Sequence, residues 1–300
     1  MKKHNLESIL ILVLLCSTFL TLIDLARTKQ AGASIVLSFQ GTISDGGIPD
    51  GLLLKYRTDF EDIMKVDDHH LSLPISHWFE YRSDGADFWM EGLDRNLAIT
   101  PHSGTRCLGM EITAPPPSET PRNEFNILPL NSLVGDELFV SVWLYLPADW
   151  GLFDPSWNWY ELVCPQISPY SSNYYPGWTV HIVRDPDYRI DVDMRSTDLV
   201  QHTMEQTPSG SVVRDPPAYP LPKGRWFNVK YYVKRGSALT SPDGIMRIWI
   251  DDRIVCDLSN VITGGGQDWG TTPADIYGSL VQSAMPYRIW VDDLSIYGVS

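Results

Sequence analysis

Ten residues in the middle of this chain have side chains suited to sugar recognition or acid–base chemistry. The segment WGLFDPSWNWYELVCPQISPYSSNYYPGW, residues 150–178, sets Trp157, Trp159, Tyr160 and Tyr170 beside Glu161 and Gln166. A sugar ring has a flat apolar face and a hydroxylated edge. Aromatic platforms next to carboxylate and amide groups therefore suit a polysaccharide. Downstream come His181, Arg189, Lys230 and Tyr232. β-Elimination on a uronate needs a group that neutralises the carboxylate, a base for the C5 proton and an acid for the leaving oxygen. Gln166 or Arg189 suits the first role, and His181 and Tyr232 suit the others. Residues 189–235 hold eight basic and five acidic side chains, a local net of +3 in a chain of net charge -14, which would favour an anionic polymer there. Glycoside hydrolysis would instead need two carboxylates flanking the bond, with Glu161 as one and Asp191 or Asp193 as the other. Each assignment competes with an ordinary one. Trp and Tyr are commonly core residues, His181 can be a hydrogen-bonded strand histidine, and Asp191 and Asp193 can form a solvated strand face with Arg189 and Arg195.

A second signal is an echo. RIWIDDRIV at 247–255 returns as RIWVDDLSI at 288–296. Two copies do not make a repeat protein, which needs at least three. In the first copy Asp251, Asp252 and Arg253 separate two apolar strands, so the pair is expected to turn the chain, because aspartate accepts local backbone N–H bonds. The second copy runs straight into LSIYG and places its aspartates within or at the end of the last strand.

The elements that must position these residues are strands. ELFVSVWLYLP (137–147) alternates Leu138, Val140, Val142 and Leu144 with Phe139, Ser141, Trp143 and Tyr145. YRIDVDMRS (188–196) has one apolar and one charged face, and WTVHIV, RWFNVKYYVKR and GIMRIWI continue the series. With no convincing amphipathic helix, the pattern predicts an all-β protein. The Pro-rich stretches 114–121 and 208–224 read as long loops within one domain.

Several segments together resemble the concanavalin A-like lectin/glucanase group, which includes laminin-G-like domains and some polysaccharide lyases. DFED (59–62) is similar to its opening strand and NLAITPHSGTRCLGMEI (96–112) to its SG hairpin. VSVWLYLPADW (140–150) is similar to the strand that follows. GRWFNVKYYVKRG with DGIMRIWIDDRIV (224–255) resembles a later hairpin, and WVDDLSIYG (290–298) the closing strand. The resemblance implies a two-sheet antiparallel jelly-roll sandwich over residues 51–300, preceded by a leader at 34–50. It departs in two places. The glucanase Glu-x-Asp-x-x-Glu strand is missing, and Gln166-Ile167-Ser168 lacks the histidine of the Gln-Ile-His strand of alginate-lyase-type jelly rolls. The first expectation is thus a carbohydrate-binding sandwich with its polysaccharide on the concave face. A polysaccharide lyase is the alternative, and a glycosidase or structural surface domain the third. The resemblance also places the first and last strands side by side. That would bring Glu61 near Asp293, with the carbonyls of Ser103 or Thr105 completing a structural Ca²⁺ shell of six to eight oxygens.

The N-terminus bears on location. Lys2 and Lys3 precede the uncharged run 9–23, and AGA at 31–33 offers a cleavage site, so residues 1–33 are expected to be a signal peptide or anchor helix with the body outside the cytoplasm. Membrane contact is expected only through residues 9–23, if they stay attached. Removing Lys2, Lys3, Arg27, Lys29, Glu7 and Asp24 takes away a net +2 and leaves -16, which repels nucleic-acid phosphates. Cys107, Cys164 and Cys256 are too widely spaced for a CxxC-type metal site; they are either buried thiols or one disulfide with one left over.

Overall fold

The computed structural model describes residues 47–63, 65–67, 70–71, 78–82, 86–113, 122–127, 130–150, 159–167, 176–183, 189–196, 219–239, 241–266, 268–278 and 286–299. Residues 1–46, Trp157, Tyr170, the first Pro-rich stretch and most of the second lie outside these, as do the side chains of Trp159, Gln166, His181 and Arg189. By its internal contacts the chain divides at Thr42/Ile43, and all the described residues belong to the second part, Ile43–Ser300. No helix among the described residues is long and apolar enough to cross a membrane.

Two antiparallel sheets carry the architecture. The eight-stranded sheet runs β15 (Arg253–Val261), β14 (Gly244–Ile250), β13 (Arg225–Lys234), β8 (Glu137–Leu146), β17 (Tyr287–Gly298), β6 (Cys107–Ile112), β5 (Ala86–Glu91), with β1 (Leu53–Thr58) also on β17. The seven-stranded sheet runs β12 (Tyr219–Pro220), β11 (Arg189–Ser196), β10 (Pro176–Val183), β9 (Trp159–Ile167), β16 (Gly270–Gly278), β7 (Arg122–Ile127), β4 (Trp78–Arg82). A small hairpin pairs β2 (Lys65–Asp67) with β3 (His70–Leu71), and one short helix spans Asn131–Val134. First and last strands do meet, in a register that sets Thr58 opposite Leu294.

Alternation decides what enters the core. Leu138, Val140, Val142, Leu144 and Leu146 of β8 join one apolar cluster with Val229, Tyr231 and Val233 of β13 and with Phe125, Tyr160, Leu162 and Ile276 of the other sheet. Fully burying such a side chain contributes about 1.5–3 kcal/mol. The outer face of the eight-stranded sheet is aromatic too. Trp89, Cys107 and Trp290 cluster there, with Tyr145 and Trp226 against them. The buried Glu91 carboxylate accepts the indole N–H of both Trp89 and Trp290 and the amide of Ala98, fastening residues 91–98 to this face.

The echo resolves into two devices. Asp251 and Asp252 form a two-residue hairpin turn, with Ile250 paired to Arg253 and both aspartates at positive φ, 48° and 66°. This is the type I′ geometry whose twist matches the flanking strands. In the second copy, Asp292 pairs with Trp143 and Ser295 with Ser141, so β17 carries one extra residue. It is a β-bulge, with Asp293 at φ 46°.

DFED is not a strand. β1 ends at Thr58, and Phe60 takes φ 61° while Asp59 accepts the amide of Glu61 and Thr58 Oγ1 that of Phe60. These local side-chain acceptors compete with ladder pairing and turn the chain. The three described cysteines are buried thiols, so the disulfide alternative does not hold among them.

Candidate functional site

On the seven-stranded sheet, Phe125, Ile127, Tyr160, Leu162, Ala274 and Ile276 face the core. Their strand neighbours Glu124, Asn126, Glu161 and Asp275 therefore face away from it, joined by Thr272 and Cys164. An outward strand face is ordinarily solvated, yet Asp275 and Asn126 are 0% exposed and Glu124 and Glu161 2%. The result is a covered polar floor. Arg122 pairs with Glu124, Asn126 Nδ2 donates to Glu124 Oε2 at 3.1 Å, and Thr272 Oγ1 donates to Asn126 Oδ1. Cys164 Sγ lies 3.3 Å from Glu161 Oε2 and 3.8 Å from Asp275 Oδ2.

The register brings His181 and Arg189 alongside this floor, whereas Gln166 pairs with Trp178 of the core cluster. His181 stands opposite Glu161 on one side and Asp191 on the other. Gln166 stands opposite Trp178, and Arg189 opposite Val183 and Pro220. Gln166, His181 and Arg189 thus occupy three successive strands, β9, β10 and β11.

Other expected members are elsewhere. Tyr160 belongs to the core: it is fully buried, donates its hydroxyl to the carbonyl of Asp275 and meets Trp150 edge-on at 5.0 Å. Sequence alone cannot say which phase of an alternating pair points inward. Tyr232 and Lys230 lie on the outer face of the eight-stranded sheet, because their neighbours Val229, Tyr231 and Val233 fill the core. The hydroxyl of Tyr232 donates to Glu137 Oε2 at 2.7 Å, and Lys230 pairs with Asp252. Tyr232 and His181 are on different sheets and do not form an acid–base pair. The local +3 is dispersed for the same reason. Arg225 pairs with Asp251, Lys234 with Glu137 and Arg235 with Asp136, all acids outside residues 189–235.

The residues expected around Ca²⁺ fall into two contacts, Glu61 with Thr105 and Asp293 with Ser103. Glu61 accepts the amides of Thr105 and Arg106 and the hydroxyl of Thr105. Gly104 permits this contact: its φ is +60°, and a Cβ there would strike the Glu61 carboxylate. Asp293 accepts from Ser103 Oγ at 3.0 Å and meets His102 Nδ1 at 2.6 Å. His102 in turn lies flat on Trp143, ring centroids 3.7 Å apart. Asp292, fully buried, accepts the amide of Ser103, and burial pushes its carboxyl up to about 7. Segments 59–62, 102–106 and 292–293 are thereby clasped together.

No protein-family model and no curated protein sequence matches the chain. Solved structures do. The endo-β-1,4-glucuronan lyase of the fungus Trichoderma reesei superposes with TM-score 0.53 at 14% identity, covering 83% of this chain and 96% of the lyase. The chain has a jelly-roll sandwich fold. The cellulose-induced protein Cip1 aligns at TM-score 0.48 and 14% identity over 80% of this chain and 96% of its own. The carbohydrate recognition domain of Emp47p aligns at TM-score 0.48 and 6% identity over 85% and 100%.

Asp275 and Glu124 were not singled out by sequence reasoning, and Cys164 was read only as a buried or disulfide-forming thiol. Asp275 had a signal: it sits between apolar Ala274 and Ile276 in PADIYG, the pattern of an outward strand position.

Proposed function

We propose that this chain is an exported carbohydrate-binding sandwich that holds a polysaccharide across the outer face of its seven-stranded sheet. The observation that supports the reading is the strand register, which sets His181 of β10 beside Glu161 and places Arg189 on the next strand, β11, alongside the covered polar floor. Hydroxyl-rich ligands are oriented by such fixed donors and acceptors. The glucuronan lyase that superposes on the chain acts on a polysaccharide, which agrees with the class of ligand. The lysine-led apolar run at the N-terminus supports export. A glycan array probed with the soluble body tests the reading, and absence of binding to any plant, fungal, bacterial or algal polysaccharide would count against it.

A lyase is the second reading, favoured by His181 and Arg189 on successive strands of the same sheet. It must find its acid elsewhere than Tyr232. Incubating the glycans that bind with the protein separates the two readings, because elimination leaves an ultraviolet-absorbing unsaturated sugar and binding does not.

We also propose that the clasp takes a structural Ca²⁺. The donor set suits a hard cation: the carboxylates of Glu61, Asp292 and Asp293 and the hydroxyls of Ser103 and Thr105 are all oxygen ligands from three separate segments. Such an ion would tie the two ends of the sandwich and act on stability.

A further inference from the structure

The polar floor contains one group whose chemistry differs from sugar recognition. Glu161, Cys164 and Asp275 each place a ligand atom within 4.8 Å of the others, and all three are buried. They come from two strands paired side by side: β9 supplies Glu161 and Cys164, and β16 supplies Asp275. The bulged register between these strands skips from Thr272↔Cys164 to Tyr277↔Glu161, which draws Asp275 in between the two β9 residues.

The spacing fits a small tetrahedral ion. A zinc-like centre with Zn–S near 2.3 Å and Zn–O near 2.1 Å separates sulfur from oxygen by about 3.6 Å at the tetrahedral angle. Here the two separations are 3.3 and 3.8 Å, one on each side of that value. A calcium shell would need six or more oxygens and no sulfur. Burial keeps bulk water from the three groups, so a shared cation would offset the repulsion between their ionised forms.

We propose that Glu161 and Asp275, through one carboxylate oxygen each, and Cys164, through its sulfur, bind a thiophilic divalent cation of the zinc class. On binding, the Cys164 S–H bond breaks, an S–metal bond forms and the proton leaves to the buffer, so one proton is released per ion bound from the thiol. No electron is transferred. The inference is independent of glycan binding, since a metal-free floor could still hold a sugar and a metal site could exist without one.

The test is spectroscopic. Full chain stripped with a chelator and dialysed is titrated with Co²⁺. The expected result is a near-ultraviolet sulfur-to-cobalt charge-transfer band that saturates at one equivalent and disappears when Zn²⁺ is added. Cys164→Ser should lose the band while retaining weaker Zn²⁺ binding. Glu161→Gln and Asp275→Asn should each weaken Zn²⁺ by more than the roughly 10–100-fold that follows loss of an outer-shell partner. Circular dichroism of each variant separates a lost ligand from a lost fold. If Cys164→Ser fails to fold, the wild-type titration and Asp275→Asn still decide. Wild type that stays folded and gives no band overturns the proposal, as does a band that persists in folded Cys164→Ser.

Discussion

Asp252 and Asp293 hold the same place in two near-identical nine-residue strings and both have left-handed backbone, φ 66° and 46°. One ends a hairpin turn, exposed and paired with Lys230; the other is the extra residue of a bulge that grips Ser103 and His102. Glycine discriminates the two roles. Asp252→Gly should leave stability unchanged or raise it by up to about 1 kcal/mol, because an exposed ion pair contributes little and glycine relieves the positive φ. Asp293→Gly gains the same relief but loses two side-chain contacts, and should cost about 1–3 kcal/mol net. Urea denaturation of both variants measures this, and equal effects would contradict the assignment.

Calcium dependence should separate the same two residues. EDTA is expected to lower the melting temperature of wild type and added Ca²⁺ to restore it. Asp293→Asn should abolish that response and Asp252→Asn should keep it. Two variants that both respond as wild type does would remove the ion from the clasp.

Much of the fold was legible in the chain. The alternation of residues 137–147, 188–196 and 244–250 marked β8, β11 and β14 to within a residue or two. The pairing of first and last strands was expected from the resemblance, whereas the side-chain contacts of Glu61 with Thr105 and of Ser103 with Asp293 were not. The assignment of strands to sheets was not legible. Tyr232 and His181 lie on similar half-apolar strands, and what divides them is pairing: β13 with β8, β10 with β9 and β11. Pairing depends on hydrogen bonds between distant segments, which a local pattern does not encode.

A pH dependence arises from Glu111. Burial alone would raise its carboxyl, but hydrogen bonds and charges from Arg95 and Arg288 outweigh this and hold it below the usual carboxylate range. A depressed folded-state value means stability that is present above the unfolded pKa, about 4.3, and lost as pH falls through the folded one. Glu111→Gln should therefore cost about 1–2 kcal/mol at neutral pH, since it removes two ion pairs whose guanidinium groups stay partly solvated and Arg95 keeps Asp87. The gap between wild type and variant should narrow as pH falls from about 5 to 3. A gap that is constant across that range would assign the cost to packing.

The buried thiols should be inert. Burial, with Asp257 nearby, pushes Cys256 up to about 12, and burial with Asp292, Glu91 and Glu61 raises Cys107 well above its ordinary value. Only the thiolate is nucleophilic, so iodoacetamide at pH 8 should label these two in the folded protein at least roughly 100-fold more slowly than in urea. Peptide mass spectrometry reads each site, and rapid labelling of either in the folded chain would contradict its burial.

The proposed placement of a polysaccharide on the seven-stranded sheet, and not on the eight-stranded one, is open to a direct measurement. A glycan that binds is titrated calorimetrically into wild type, His181→Ala on β10 and Lys230→Ala on β13, each variant checked for an unchanged melting temperature. His181→Ala is expected to weaken binding about tenfold or more, a loss of about 1.4 kcal/mol, while Lys230→Ala binds as wild type does. Weakened binding in Lys230→Ala with His181→Ala unaffected would place the ligand on the opposite face and contradict the proposal.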